Sequence, residues 1–139
     1  MEREISAGII IFRKEKNKIK FLLLEKPSGL FEFPKGLIEK SEDPKNTALR
    51  EAKEEAGIKK IKIIDGFKET TKYVYNFRGK KIFKIVIFYL GETKEKQIKV
   101  SFEHLDGNWY EFKKAEKLLK FKNYKELLKK AKKFIEKNL

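Results

Sequence analysis

The sequence predicts an α+β fold, with a mixed β-sheet flanked by few helices. Two observations carry this expectation. Strand-like segments follow one another directly, in the order β-β-α-β-β-β-(β)-α-α, where a doubly wound sheet would alternate strand with helix. Apolar residues make up 40% and aromatics 13% of the 139 residues, enough for one core and hence for a single domain over 1–139.

The elements follow in order. Residues 5–12 are apolar and β-branched, which predicts a buried strand, and residues 20–24 form its neighbour across a polar turn at 15–18. Pro27-Ser28-Gly29 marks a loop. Residues 43–56 read as a helix. Asp43 suits the N-cap, Pro44 the first helical position, and Gly57 the position after the last turn. Residues 60–78 alternate apolar with polar in two pieces around Asp65-Gly66, predicting two strands. Gly79 marks a turn, and residues 82–90 give the strongest strand signal. Short strands are expected at 98–102 and 109–112, then a short helix at 113–120. In the last helix, 124–138, Leu127, Leu128, Ala131, Phe134 and Ile135 share one stripe. Phe83, Phe88, Trp109 and Phe134 are expected in the core.

Composition removes several chemistries. There is no cysteine, so no disulfide, thiol nucleophile or iron–sulfur cluster. A lone histidine, His104, excludes a histidine-rich metal site. No apolar run is long enough to span a membrane, and the acidic N-terminus is unlike a secretory signal, so the expected location is the cytoplasm. The net charge is +14. Such a field attracts polyanions. Only Arg3, Arg13, Arg50 and Arg78 are arginines, and residues 113–139 hold eleven lysines against three glutamates. That bias toward lysine, with one glutamine and one methionine, matches a heat-adapted composition. The last helix is read as packed on one side and solvated on its basic face.

One feature of the helix at 43–56 points to chemistry. Glu51, Glu54 and Glu55 stand at i, i+3 and i+4 and share a face. Their mutual repulsion disfavours the bare helix. Clustered carboxylates are also what a hard divalent cation takes as oxygen ligands. Upstream lies Phe33-Pro34-Lys35-Gly36, a glycine loop with a lysine beside it.

From Gly36 to Ile58 the chain places Gly36, Glu42, Arg50-Glu51, Glu54-Glu55 and Gly57 at the spacing of the Nudix box, and it resembles the Nudix hydrolases at every fixed position of that motif. Ala52, where a larger aliphatic is common, is the soft departure. The resemblance implies an α/β/α sandwich and hydrolysis of a nucleoside diphosphate linked to another group, with Mg²⁺ (or Mn²⁺) as cofactor. It implies Glu51, Glu54, Glu55 and the Gly36 carbonyl as metal ligands, one of these glutamates as base, Glu54, Glu55 and Arg50 as the catalytic residues with Arg50 orienting the glutamates, and Glu42 as a structural tie.

The flanks resemble the diadenosine tetraphosphate hydrolases within that family. Phe31 to Gly36 matches their aromatic-x-x-Pro-Lys-Gly entry, with Phe31 in place of the usual tryptophan. Ser101-Phe102-Glu103-His104 before Trp109 matches their Ser-x-Glu-His step. This likeness implies Glu103 as a fourth metal carboxylate. It implies Lys35, Lys84 and His104 as phosphate or substrate contacts, with Lys81 a further candidate. Among Tyr73, Tyr75 and Phe77 it favours Tyr75 as the platform for adenine. The subgroup's second aromatic falls near Gly107 here, a departure. The expected partner is a dinucleoside polyphosphate, and the expected reaction gives ATP and AMP; the alternative is removal of pyrophosphate from an RNA 5′ end. The oligomeric state stays open.

Overall fold

The computed structural model describes residues 1–139. Its strands are β1 (Glu2–Glu15), β2 (Lys18–Glu25), β3 (Phe31–Glu32), β4 (Lys35–Leu37), β5 (Lys62–Phe77), β6 (Lys80–Glu92) and β7 (Asp106–Glu111). Its helices are α1 (Pro44–Ala56), α2 (Phe112–Leu118) and α3 (Lys122–Asn138). The seven strands form one mixed sheet in the order β3-β2-β1-β6-β5, with β4 also pairing β1 and β7 pairing β2.

β1 is central and its Ser6–Arg13 stretch is buried on both faces, which is why Ala7–Phe12 is an unbroken apolar run. It runs parallel to β6 from Glu2↔Ile82 to Phe12↔Glu92. Its other edge is shared. Ser6–Gly8 pair antiparallel with β4, and Phe12–Glu15 with β2. Alternation then sorts its side chains. Ala7, Ile9 and Ile11 face α1 and its Ala48, Ala52 and Ala56. Ile10 and Phe12 face α2 and α3, against Ala115, Leu127, Leu128 and Ala131. Helices on both faces of a mixed sheet make the α/β/α sandwich.

α1 begins and ends where its local signals place it. The Asp43 side chain accepts the Lys45 amide at 2.8 Å, and Pro44 opens the first turn. Gly57 adopts φ +71°, and its N–H closes on the Lys53 carbonyl at 3.0 Å.

Three expectations change, and two short strands are added. The break at Asp65-Gly66 is a bulge within one long β5, between Ile63 and Lys68, with Gly66 at φ +94°. Residues 98–102 are not a strand: the amides of Lys99 and Ser101 bond instead to the Ala56 and Glu55 carbonyls at the end of α1. β3 and β4 are too short to signal themselves in sequence. Phe83 is half-buried, with the Arg3 guanidinium 6.0 Å from its ring centre, so it lies outside the core. Phe88 is fully buried, while Trp109 and Phe134 pack at the core margins.

Candidate active site

The Pro34–Leu37 segment lies across β1 beside α1, and this contact builds the site. Gly8 of β1 permits it. A Cβ there would stand 2.7 Å from the Pro34 carbonyl and 2.8 Å from the Lys35 Cβ. Gly36 permits the next contact, because the Glu51 carboxyl occupies the space its Cβ would fill. The Lys35 amide donates to Glu55 Oε1 at 3.0 Å. Two of the three helix glutamates are thus fitted against the glycine loop.

Arg50 organises the exposed side of this cluster. Its Nε and Nη2 donate to Glu42 at 2.8 and 3.0 Å, and Nη2 also reaches the Leu37 carbonyl at 3.1 Å. Its Nη1 donates to Glu51 at 2.9 Å and to Glu54 at 3.3 Å. Glu42 accepts Thr47 Oγ1 and the Glu39 amide as well, so it ties the loop to the helix. These hydrogen bonds, Arg50's foremost, hold the Glu42 carboxyl at about 2. Glu55 is buried and has no cation paired with it, and burial pushes it up to about 7. Burial also raises Glu51, against the pull of Arg50.

These residues fit a hard divalent cation in donor chemistry. A buried carboxylate without a counter-cation, a second one seated on a glycine that leaves it room, and a third at the helix surface are all oxygen donors. As the side chains stand, no group of three acidic or histidine residues converges on one point. A cation would have to draw Glu51 and Glu54 away from Arg50.

Beside the cluster opens a cleft of about 660 Å³, half of its 14 lining residues hydrophobic. Lys35, Tyr75 and Lys84 line it together with Phe31, Tyr73, Phe121 and Asn123. The Tyr75 hydroxyl donates to Glu4 at 2.6 Å, which pushes that phenol up to about 12. Lys84 stands 3.8 Å from the same carboxylate, and its own pKa is lowered, first by burial and then by Lys35. Lys81 and Phe77 are exposed outside the cleft. Glu103 is exposed on a neighbouring loop, close enough for its charge to raise Glu51.

His104 lies outside the cleft lining as the side chains stand. It is 6% exposed, and its Nε2 meets Glu32 Oε2 at 2.8 Å. Glu32, which sequence reasoning passed over, sits between His104 and Lys35, whose Nζ donates to it at 3.0 Å. Burial alone would raise Glu32, but the His104 bond and the Lys35 charge bring it down to about 2. Phe121 is the other residue missed. It stands at the N-cap of α3 and lines the cleft.

The likeness to known proteins extends over this whole architecture. The NUDIX domain profile matches residues 2–131. The asymmetrical bis(5′-nucleosyl)-tetraphosphatase of Sus scrofa is 35% identical, with 94% of each chain covered. The crystal structure of a Caenorhabditis elegans Ap4A hydrolase binary complex superposes with a TM-score of 0.82 at 33% identity, covering 95% of this chain and 97% of that one. An RNA pyrophosphohydrolase of Nitratiruptor is 36% identical over 64% of this chain. No helix here is long and apolar enough to cross a membrane. A likeness that runs so far past the motif, through both helical layers and the loop of Glu103, is one of common descent: the chain belongs to the NUDIX domain family and is a Nudix hydrolase.

Proposed function

We propose that this protein hydrolyses diadenosine tetraphosphate to ATP and AMP by attack of water on phosphorus. The observation that carries the reading is the junction of two features at Lys35. Its amide abuts the helix glutamates while its side chain lines the aromatic cleft. A substrate with a base in the cleft would lay its phosphate chain toward α1. Near full-length likeness to tetraphosphatases supports this choice of substrate.

In this reading Glu51, Glu54, Glu55, the Gly36 carbonyl and Glu103 hold Mg²⁺, with Mn²⁺ a workable substitute. When bound, the ion neutralises phosphate oxygens and acidifies water. Arg50 orients Glu51 and Glu54 through its fork, and Glu54 or Glu55 accepts the proton of the attacking water. Tyr75 and Phe121 supply faces on which adenine stacks, worth about 1–3 kcal/mol for a base. Lys35 and Lys84 contact phosphate oxygens.

A second reading, removal of pyrophosphate from an RNA 5′ end, draws on the +14 charge and the partial match to an RNA pyrophosphohydrolase. Product analysis with Mg²⁺ separates the two. ATP and AMP from diadenosine tetraphosphate, lost in Glu55→Gln, support the first. Pyrophosphate released from 5′-triphosphorylated RNA, with the dinucleotide left intact, overturns it in favour of the second.

A further inference from the structure

The loop from Ser101 to Leu105 carries Glu103 but contributes almost no packing of its own. Phe102 is 96% exposed, Leu105 is 62% exposed, and Glu103 is exposed within charge range of Glu51. The backbone is tied at the two ends and closed into a turn between them, the His104 amide donating to the Ser101 carbonyl at 3.2 Å and the Glu103 amide to Ser101 Oγ at 3.4 Å. The Ser101 amide donates to the Glu55 carbonyl at 3.2 Å, and the Leu105 amide to the Glu25 carbonyl at 2.8 Å. Between them one side chain turns inward, that of His104. Its Nε2 meets Glu32 Oε2 at 2.8 Å, and its Nδ1 has no partner. The other oxygen of Glu32 accepts from Lys35 Nζ at 3.0 Å, and the Lys35 amide in turn abuts Glu55. One buried carboxylate therefore joins the loop to the strand segment that supports the helix glutamates.

We propose that Glu32 is a positioning residue: acting through His104, it fixes the 101–105 loop so that Glu103 faces the cation site on α1. The proposal rests on the reading that Glu103 and the helix glutamates share a divalent ion. The physical reason is the economy of the anchor. The turn fixes the loop's local shape, but the one buried side chain fixes how that turn sits on the rest of the molecule, and the only hydrogen bond of that ring is to Glu32. Residues that orient metal ligands in this way typically change metal affinity by about 10–100-fold when removed.

The test is a double-mutant cycle on Mn²⁺ affinity, measured by titration of the metal-free full-length chain without nucleotide. Glu32→Gln should weaken Mn²⁺ binding by about 10-fold, and should add nothing in a Glu103→Gln background. His104→Ala attacks the same anchor from the other end and should give the same pattern, which keeps the test open if Glu32→Gln does not fold. Three results overturn the proposal: no change in Mn²⁺ affinity in either variant, an equal loss with or without Glu103, or a Glu103→Gln variant that binds Mn²⁺ like the parent. The substrate reading is judged separately, since failure to cleave diadenosine tetraphosphate leaves the metal cycle intact.

Discussion

Gly36→Ala tests the site with the smallest available change. Gly36 is not among the residues at positive φ, so alanine meets no backbone strain, and the unfolded chain loses entropy worth about 0.4–1 kcal/mol in favour of folding. Opposing this, the new Cβ overlaps the Glu51 carboxyl. That carboxyl is the far end of a flexible side chain, so it moves away and the backbone stays. Its cost is the charge-assisted bond from Arg50 at 2.9 Å, about 1.5–3 kcal/mol where such a bond is lost outright. Arg50 keeps its bonds to Glu42 and Leu37, and Glu51 gains water at the mouth of the site. We expect a net loss near 1 kcal/mol, read by urea unfolding of the metal-free chain through the fluorescence of Trp109. Activity should fall far more, about 100-fold or roughly 2.7 kcal/mol in the transition state, because Glu51 no longer stands where the cation needs it. Glu51→Ala should be as inactive, and adding Gly36→Ala to it should cost no further stability, since the clash is gone. Activity within threefold of the parent would refute the placement of Glu51. A loss above 3 kcal/mol that persists beside Glu51→Ala would show that the backbone, not the carboxyl, is the obstacle.

Gly8→Ala contrasts with it, because there the Cβ meets the Pro34 carbonyl at 2.7 Å and the Phe88 ring at 2.6 Å; we expect about 3 kcal/mol of destabilisation, at the upper end of overpacking, measured by the same urea titration. The Glu32–His104 pair should give the metal-free chain a characteristic pH profile of stability. The folded value of Glu32 lies at about 2 against an ordinary 4.5, so its contribution is present above pH 4.5 and lost as pH falls toward 2; at about 1.36 kcal/mol per unit it is worth about 3 kcal/mol. His104 is raised above 6.5 by Glu32, so its contribution is present below pH 6.5 and lost as pH rises through the folded value. Unfolding free energies should show both arms, and Glu32→Gln should remove both. Phe121→Ala should raise KM for diadenosine tetraphosphate by at least about fivefold, from the lost stacking face, while Tyr75→Phe, which keeps its ring and loses only the bond to Glu4, should stay within about twofold.

What the sequence made legible follows the range of the forces involved. α1 could be read to the residue because Asp43, Pro44 and Gly57 act within a turn of where they stand. The acidic face of α1 could be read because helical spacing brings Glu51, Glu54 and Glu55 together without reference to the rest of the chain. β3 and β4, of two and three residues, exist only because β2 and β1 pair with them, and a pairing of that kind leaves no local pattern. Gly66 signals a break in either case; whether it ends a strand or bulges one depends on β6 continuing beside it. Phe121 and Phe31 line one cleft from opposite ends of the chain, beyond the reach of any spacing rule. Glu32, between two phenylalanines, offered a signal that went unused. A carboxylate whose neighbours on both sides are apolar is one that the fold has to pair.

The acidic cluster has to be stable before any metal arrives, and the structure shows how. Like charges at i, i+3 and i+4 each cost a helix about 0.2–0.5 kcal/mol. Two features keep that cost small here. Arg50 spreads its fork over Glu42, Glu51 and Glu54, so the helix carries its own counter-charge. Glu55, with no cation of its own, sits in surroundings that bring its pKa to about 7, so near neutrality much of its charge is absent. Both features are reversible. A divalent ion would compete with Arg50 for two carboxylates and with a proton for the third. In the proposed reading the same side chains would serve as a stable surface without metal and as a ligand set with it. The lysine excess acts at another scale. Its field is screened beyond about 8 Å at physiological salt, so it can gather polyanions at the surface but cannot orient a phosphate at Glu51. In the proposed reading orientation falls to Lys35 and Lys84, the two of the three half-buried cleft lysines that are paired with a glutamate.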